Sequence, residues 1–283
     1  MKIAIASGKG GTGKTTVTTN LAVTVNQMGK TVHVLDCDVE EPNCHIFLKP
    51  AFHEKKNVSI PVPLVNKQEC IGCGLCAEVC QFNAIAFIKG NVLVFPELCH
   101  GCGGCWLLCP QHAIGKSQRV VGTLEKGTAH GFPFSHGNMK IGEAMAPPLI
   151  KAVKETANGE AVHFIDSPPG TSCPVIESIH DSEFVVLVTE PTPFGLNDLV
   201  LAVEMVRELK LPFGVVINRA GSGDDAVEEY CRGEQIDILM QLPDNRQIAE
   251  AYSRGDMAVD VAPEIRQLFE NLYKSIQEKI QSS

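Results

Sequence analysis

The sequence contains no apolar run long enough to cross a lipid bilayer, and it has fewer basic than acidic side chains. A membrane-spanning helix needs about 20 consecutive apolar residues, so we expect no stable membrane association. With 24 Lys and Arg against 33 Asp and Glu, the net charge is −9. A general nucleic-acid-binding protein presents a basic face to phosphates, so we expect no nucleic-acid partner. Residues 1–6 are apolar but too short for a secretory signal, which predicts a buried strand and a cytoplasmic location.

The composition is that of a globular protein, since 44% of the 283 residues are hydrophobic and 20% are charged. Apolar β-rich runs alternate with helical stretches such as 17–28. The runs predicted as buried strands are 2–6, 31–35, 162–165, 184–189 and 213–217, with 236–240 as a further candidate. Alternating strands and helices build a mostly parallel sheet with right-handed crossovers. We therefore predict an α/β fold with a doubly wound parallel sheet, closed by a helix over 263–281.

This alternation is interrupted after the second predicted strand. Three prolines fall in the stretch 49–66, which we interpret as a connector, and a cysteine-rich block follows. The alternation resumes near residue 118. The sequence thus predicts one α/β domain made of 1–60 and 118–283, with a small α+β domain inserted over 61–117.

A glycine-rich loop lies between the first predicted strand and the first predicted helix. Residues 8–15 read GKGGTGKT, which fits the pattern G-x4-G-K-[S/T]. Glycines let backbone amides surround phosphate oxygens, and the N-terminus of the helix adds a partial positive charge. In such a loop Lys14 reaches the β- and γ-phosphates and Thr15 places its hydroxyl on Mg²⁺. The predicted ligands are therefore ATP and Mg²⁺, and the predicted contacts in the loop are Gly8, Lys9, Gly10, Gly11, Thr12, Gly13, Lys14, Thr15 and Thr16.

Three carboxylates directly follow predicted strands. Asp36 and Asp38 lie in DCDVEEPN, and Asp166 lies in HFIDSPPG. Ligands of parallel α/β sheets bind at the carboxyl ends of the strands, so these side chains are candidates for the magnesium shell and the attacking water. The alternative for each of them is an ordinary helix cap or turn residue.

The string KGGTGKTT resembles the deviant Walker A motif of the MinD/ParA class of P-loop ATPases, and the resemblance covers roughly 1–48 and 118–270. It implies ATP hydrolysis in a homodimer that forms around ATP. Lys9 would then reach across the dimer to the partner's nucleotide, while Lys14 would act in its own loop. From spacing alone, Lys9 could equally be a solvent-facing charge.

The same resemblance implies roles for residues outside the loop. DCDVEEPN resembles switch I, in which Asp38 would orient the attacking water and Asp36 would help to hold the magnesium shell. DSPPG resembles switch II, so Asp166 would be the Walker B carboxylate and Gly170 would sense the γ-phosphate. INRAG resembles the adenine-contacting motif, which implies that Asn218 recognises the base.

Eight of the twelve cysteines fall between residues 70 and 109. They form two C-x2-C-x2-C-x3-C runs whose equivalent positions are all 29 residues apart. In a reducing compartment such clustering indicates metal rather than disulfides. Zinc is the competing metal because Cys-x2-Cys pairs also bind it, but zinc does not account for runs of three cysteines.

This duplicated block closely resembles a bacterial-type ferredoxin with two [4Fe–4S] clusters. In that family three neighbouring thiolates hold one cluster, and the fourth cysteine of each run crosses to the other cluster. The resemblance implies one cluster on Cys70, Cys73, Cys76 and Cys109 and another on Cys99, Cys102, Cys105 and Cys80. The sequence departs from the pattern at Gln81, since the matching position of the second run is Pro110.

Four cysteines lie outside the block. We expect Cys37, Cys44 and Cys231 to pack as small hydrophobic residues. Cys173 lies seven residues after Asp166, and in the related nitrogenase iron-protein group a cysteine just after switch II ligates a cluster shared across the dimer. Cys173 is therefore either a contact to metal or a partner, or an ordinary thiol. The histidines interpreted as structural are His130, His136 and His163.

The combination resembles MinD-superfamily ATPases with an inserted ferredoxin domain. It predicts an ATP-hydrolysing iron–sulfur protein that couples its nucleotide state to electron transfer with a redox partner. The second hypothesis is ATP-dependent assembly or delivery of an iron–sulfur cluster or metal to an accepting protein. Mrp-type carriers place a Cys-x-x-Cys near the C-terminus, and this sequence has none after Cys231. A MinD-like positioning ATPase and an enzyme like cobyrinic acid a,c-diamide synthase fit less well, because the chain is acidic and shows no glutaminase domain.

Overall fold

The computed structural model describes residues 1–261 and 263–282. The chain forms two compact units. The large unit comprises Met1–Lys56, Leu124–Asn138 and Ile150–Ser283, and the small unit comprises Asn57–Thr123 and Met139–Leu149. The small unit contains the whole of the cysteine-rich block.

The strands and helices follow one another along the whole described chain. The strands are β1 (Lys2–Ala6), β2 (Val32–Asp36), β3 (Ala51–Val65), β4 (Ile85–Ile88), β5 (Asn91–Val94), β6 (Ile114–Ala129), β7 (Phe132–Met139), β8 (Val162–Asp166), β9 (Phe184–Thr189), β10 (Phe213–Ala220) and β11 (Ile238–Pro243). The helices are α1 (Lys14–Gln27), α2 (Cys44–Leu48), α3 (Leu75–Glu78), α4 (Gly104–Leu107), α5 (Pro147–Lys154), α6 (Cys173–Ile179), α7 (Pro193–Glu208), α8 (Ala226–Gly233), α9 (Arg246–Arg254), α10 (Ala258–Val261) and α11 (Pro263–Ser282), with a 3-10 turn at Pro96–Leu98.

A nine-stranded sheet in the order β11-β10-β9-β1-β8-β2-β7-β6-β3 organises the fold. Neighbours from β11 to β7 run parallel. Strands such as β1 and β9 read as continuous apolar runs because both faces of a parallel sheet are covered. The prediction of an α/β fold with a mostly parallel sheet is confirmed.

Most of the stretch 49–66 is strand β3, so the prediction of a connector there is wrong. Its prolines, Pro61 and Pro63, cannot donate to a sheet ladder. They are tolerated because β3 is the last strand in the order and has a neighbour on one side only.

The strand–helix alternation also does not resume at residue 118 as predicted. β6 begins at Ile114 and continues into β7 through His130 and Gly131, whose φ angles are 47° and 82°. Two positive φ values are typical of the two-residue turn of a β-hairpin. The alternation therefore returns only with α5 and β8.

The core of the large unit lies on both faces of its strands. Helix α11, predicted to close the sheet, buries Phe269, Leu272 and Ile276 against the same core as Ile3 and Leu21. Within the described residues, none of the helices combines the length and the apolar character that crossing a membrane requires.

The small unit repeats one local structure. Helices α3 and α4 begin after Gly74 and Gly103, whose φ angles are 82° and 87°. β4 and β5 form an antiparallel hairpin. The apolar side chains of the small unit form two small clusters, one around Ile60 and Val121 and the other around Ile85 and Ile114. So small a core gives little stability by itself.

Candidate functional site

The glycine-rich loop leaves β1 and enters α1 in close contact with two other segments. A Cβ at Gly8 would lie 2.0 Å from the backbone oxygen of Asp198. A Cβ at Gly13, where φ is +93°, would lie 2.3 Å from Nδ2 of Asn218. Neither position has room for a side chain, so the loop conformation itself requires glycine there.

A cleft opens above this loop at the carboxyl ends of the strands. Its walls include Lys14, Thr15 and Asp38, which the sequence predicted as site residues. The other predicted residues that line it are Gly10, Gly11, Gly13, Thr16 and Asn218. The predicted residues Gly8, Lys9, Thr12, Asp36, Asp166 and Gly170 do not line it.

Two buried carboxylates lie beneath the loop on neighbouring strands. The register of β2 and β8 places Asp36 beside Asp166, and both side chains are fully buried. Asp166 accepts hydrogen bonds from the hydroxyls of Thr15 and Thr18, at 2.7 and 2.8 Å. Asp36 accepts one from the backbone amide of Cys44, at 3.0 Å. The strand ends thus bring both carboxylates to the start of α1.

The electrostatics of these acids reflect their burial. Burial raises the pKa of Asp36 well above its ordinary value, and the charge of Asp166 adds to the effect. Burial also raises the pKa of Asp166, against the attraction of Lys14. The pKa of Asp38 is raised to about 7, first by burial and then by Asp166. Buried carboxylates of this kind are stabilised by a bound cation.

A cation could be held at one place beneath the loop. Among the described His, Cys, Asp and Glu side chains, the one set of three or more whose ligand atoms all lie within 4.8 Å of one another is Asp36, Cys44 and Asp166. Cys44 was predicted as a small apolar residue. It is indeed buried, but its thiol also donates to Asp166, so it belongs to the site as well.

Asn218, Gly170 and Lys9 have observed contacts with the backbone. The side-chain amide of Asn218 donates to the carbonyl of Thr12 at 2.9 Å. The Gly170 amide donates to the carbonyl of Ser7 at 2.9 Å, which ties the segment after β8 to the loop. The hydroxyl of Ser7 donates to the carbonyl of Lys9. These contacts shape the loop.

Several residues of the cleft were missed by sequence reasoning. They are Glu41, Asn43, Pro169, Arg219, Pro243, Asp244, Asn245, Ile248, Ala249 and Tyr252. The segment PDN, which begins at the last residue of β11, carried a usable signal, because β11 is parallel to β10 and ends at the same edge of the sheet. Tyr252 carried none, since its place depends on how α9 packs.

The eight clustered cysteines line two separate cavities in the small unit. Four of them line one cavity, and the other four line the second. The first set is Cys70, Cys73, Cys76 and Cys109. The second set is Cys80, Cys99, Cys102 and Cys105. The fourth cysteine of each run therefore lies with the three cysteines of the other run.

The spacing of these thiols bears on which metal could occupy the cavities. Tetrahedral zinc with Zn–S bonds of about 2.3 Å holds its sulfurs about 3.8 Å apart. Of the eight cysteines, all of which the structure describes, no three have sulfurs within 4.8 Å of one another. The sulfurs of each set are therefore too widely spaced for a single zinc ion.

The remaining cysteines and histidines fall into clear environments. Cys37 and Cys231 are buried, and Cys173 is exposed at the start of α6. His136 is buried, with Nε2 2.8 Å from Glu125. His163 is buried and His130 is exposed. Within the described residues, none of these three histidines belongs to a group of three metal-ligating side chains, and their structural role stays a prediction.

Comparison with known proteins gives a consistent result. A family model for the CobQ/CobB/MinD/ParA nucleotide binding domain matches residues 3–259. An uncharacterised protein of Methanocaldococcus jannaschii is 30% identical over 284 residues, covering 99% of this chain and 98% of the relative. An iron–sulfur cluster carrier protein of the same organism is 24% identical over 297 residues, covering 99% and 85%. Among solved structures, the septum site-determining protein MinD of Pyrococcus horikoshii, complexed with Mg-ADP, shares the fold with a TM-score of 0.62 and 20% identity, covering 97% and 95%.

Proposed function

The chain belongs to the CobQ/CobB/MinD/ParA nucleotide-binding domain family, and we propose that it is an ATP-hydrolysing iron–sulfur protein. In this proposal an inserted ferredoxin-like unit carries two [4Fe–4S] clusters. The nucleotide state of the large unit controls electron transfer between these clusters and a redox partner.

The loop and the buried acids support the nucleotide half of the proposal. Lys14 and the loop amides would bind the phosphates, and Thr15 would present its hydroxyl to Mg²⁺. Asp166 already accepts from that hydroxyl, and Asp36 lies beside it. Asp38 lines the cleft and would orient the attacking water, as the family resemblance implies.

The cysteine cavities support the iron–sulfur half and are the observation that carries the proposal. Each set of four thiols lines its own cavity, and the two sets cross between the runs. Their spacing disfavours a mononuclear ion, as argued above. When bound, [4Fe–4S] clusters would supply one-electron redox chemistry. The cysteines would hold the clusters and, because the small unit has little apolar core, would also drive its folding.

The coupling between the halves follows from what the γ-phosphate would contact. The segments of Asp38 and Gly170 lie at the loop and would differ between the ATP and ADP states. A ligand shifts only equilibria whose states it binds differently, and switch loops supply such a difference through the γ-phosphate. ATP would close a homodimer, with Lys9 reaching the partner's nucleotide. Closure would change how the cluster-bearing unit meets its redox partner.

The test is ATP hydrolysis by anaerobically reconstituted protein, with the clusters first oxidised and then reduced by dithionite. We expect a clear difference in rate between the two states. Lys14→Ala should abolish hydrolysis, whereas Lys30→Ala, which alters an exposed lysine outside the loop, should not. Equal rates in the two redox states would reject the coupling. Failure to bind iron and sulfide would reject the iron–sulfur assignment itself.

A second candidate function is delivery of an iron–sulfur cluster to another protein. Relatives that carry the name iron–sulfur cluster carrier protein, and the exposed thiol of Cys173, favour it. Transfer from the loaded protein to an apo-ferredoxin, followed by absorbance and dependent on ATP, would support this function. Cys173→Ser should then slow transfer without lowering the iron content of the two cavities. An unchanged transfer rate would remove Cys173 from the mechanism.

A further inference from the structure

The two cysteine sets are related by the 29-residue repeat, yet their surroundings differ. Cys76 and Cys105, at equivalent positions, both lie near a backbone amide, that of Ala77 and that of Trp106. The pattern of exposure is also the same in both sets except at one pair, since Cys99 is buried and Cys70 is half-buried. Against this common background, the second set has additional polar contacts.

The first difference is a pair of N–H···S hydrogen bonds. The amide of Ala84 donates to the sulfur of Cys80 at 3.3 Å, and the amide of Gly101 donates to the sulfur of Cys99 at 3.4 Å. Both sulfurs belong to the second set. Across the described residues, the equivalent amides of the first set, 29 positions away, make no such bond. Donors at the ligand sulfurs stabilise the added negative charge of a reduced cluster.

The second difference is a largely buried arginine side chain beside Cys99. The guanidinium of Arg119 donates to the carbonyl of Cys99 at 2.9 Å and forms an ion pair with Glu143. The side chains of Arg119 and Glu143 are only 12% and 3% exposed. In the first repeat the position equivalent to Arg119 is Gly90, which has no side chain to make such contacts.

These features act on the same property, the free energy of adding an electron. Salt screens a buried charge far less than an exposed one, so Arg119 should outweigh the surface lysines of the small unit. The extra burial of Cys99 acts in the opposite direction, because desolvation disfavours added charge. This extra burial concerns Cys99 alone. Three donors favour reduction, namely the amides of Ala84 and Gly101 and the guanidinium of Arg119.

We infer that Arg119, together with the amides of Ala84 and Gly101, makes the Cys80, Cys99, Cys102 and Cys105 site the one of higher reduction potential. This inference rests on the proposed function, since it requires both cavities to hold [4Fe–4S] clusters. An electron that enters at the Cys70, Cys73, Cys76 and Cys109 site would pass to the second site. The first site is thereby oxidised and the second reduced by one electron, so Arg119 sets the direction of transfer within the unit.

The experiment is a potentiometric titration of the full-length, reconstituted protein, with dithionite as reductant and electron paramagnetic resonance as readout. Cys73→Ser and Cys102→Ser are a matched pair of exposed ligands at equivalent positions. Each should weaken or remove one signal and so assign the two potentials. We expect the higher potential to survive in Cys73→Ser and to be lost in Cys102→Ser. The reverse assignment would overturn the inference.

Two charge variants then test the cause. Arg119→Met should lower the higher potential by an amount equal to roughly a tenfold change in the equilibrium constant, which is about 59 mV for one electron. Glu143→Gln should raise it, because the guanidinium then has no counter-charge. A purely structural role predicts loss of cluster or shifts of the same sign in both variants. Lys140→Met removes an exposed charge from the same unit and should leave both potentials unchanged.

The two levels of failure can be told apart. Protein that binds fewer than two clusters, by iron and sulfide content, contradicts the proposed function. Protein that binds two clusters, but in which Arg119→Met and Glu143→Gln leave the higher potential unmoved or move the lower one, contradicts only the role of Arg119.

Discussion

The thiol of Cys44 donates a hydrogen bond to Oδ2 of Asp166, at a distance of 3.3 Å. Burial raises the pKa of Cys44 well above its ordinary value, and the charge of Asp166 raises it further, so the sulfur keeps its proton and acts as the donor. The backbone amide of Cys44 also donates to Asp36. A soft ligand is therefore placed among hard carboxylates, where Mg²⁺ would be needed for hydrolysis.

The first prediction concerns inhibition by thiophilic cations. Mg²⁺ prefers oxygen ligands, whereas Cd²⁺ favours thiolates and can displace the proton of Cys44. We expect Cd²⁺ to inhibit the Mg-dependent ATPase, and Cys44→Ala to raise the inhibitory concentration at least about tenfold. Rates measured at fixed Mg²⁺ over a Cd²⁺ series provide the check.

The matched control for Cys44 is Cys231→Ala, which removes another buried thiol from the large unit. The Cd²⁺ concentration that inhibits Cys231→Ala should equal the concentration that inhibits the unaltered protein. If Cys44→Ala and Cys231→Ala show the same inhibition curve, the cation acts elsewhere and Cys44 is only a packing residue.

The second prediction concerns Asn218, for which the family resemblance implies contact with adenine. Its observed hydrogen bond is to the carbonyl of Thr12, and its side chain packs against Gly13. We therefore expect Asn218→Ala to lower the binding affinities for ATP and for GTP alike, by roughly tenfold, because about one hydrogen bond that positions the loop is lost. Titration with both nucleotides measures this. A selective loss of ATP affinity would instead favour recognition of the base.

How much the sequence predicted depends on how local each feature is. The loop from Gly8 to Thr15 and the two cysteine runs are patterns of closely spaced residues, so both can be recognised from the sequence alone. The contact of Cys44 with Asp166 joins residues 122 positions apart. It depends on where α2 begins after β2, and no short pattern encodes that.

In the proline-rich stretch 49–66 the local sequence predicts a connector, but the position of β3 at the edge of the sheet allows a strand there. Pro61 and Pro63 argue against a strand wherever both neighbours are hydrogen-bonded. An edge position removes that objection, but the strand order is a property of the whole fold. The difference between the two cysteine sets at Arg119 likewise could not be predicted from the sequence, because it depends on the contacts of Arg119 with the carbonyl of Cys99 and with Glu143.

The third prediction tests the crossed ligation of the clusters. Cys109 belongs to the second run but lines the cavity of the first set. Cys109→Ser should therefore alter the same paramagnetic signal as Cys73→Ser, and Cys80→Ser the same signal as Cys102→Ser. If each variant instead altered the signal of its own run, the cysteines would not cross.

The fourth prediction concerns dimerisation through Lys9. The side chain of Lys9 does not line its own cleft, unlike that of Lys14. If Lys9 serves the partner's nucleotide, Lys9→Ala should still bind ATP with affinity within about threefold but should not form the ATP-dependent dimer. Light scattering after size exclusion, with and without ATP, distinguishes the forms. A Lys9→Ala protein that dimerises normally would remove the trans role.

The fifth prediction is a pH dependence of stability that arises from His33. Burial lowers the pKa of His33 to about 4, with a further contribution from His163. Because the unfolded pKa is about 6.5, the unfolded state binds the proton first as the pH falls. His33 therefore costs little stability at about pH 7.5 and progressively more as the pH falls towards about 4. From pH 7.5 to 5.5 the free energy of unfolding should fall by about 1.3 kcal/mol through this group.

His33→Gln removes that titration while keeping a group able to hydrogen-bond with Ser135, which lies 3.1 Å from Nε2 of His33. Its unfolding free energy, measured by denaturant titration of the loaded protein at several pH values, should be less steep in pH by that amount. His53→Gln, which replaces an exposed histidine of β3, is the matched control and should keep the original slope. Identical slopes for all three proteins would show that His33 does not carry the pH dependence. The pH dependence would then be assigned to His163 and His45, whose pKa values burial also lowers.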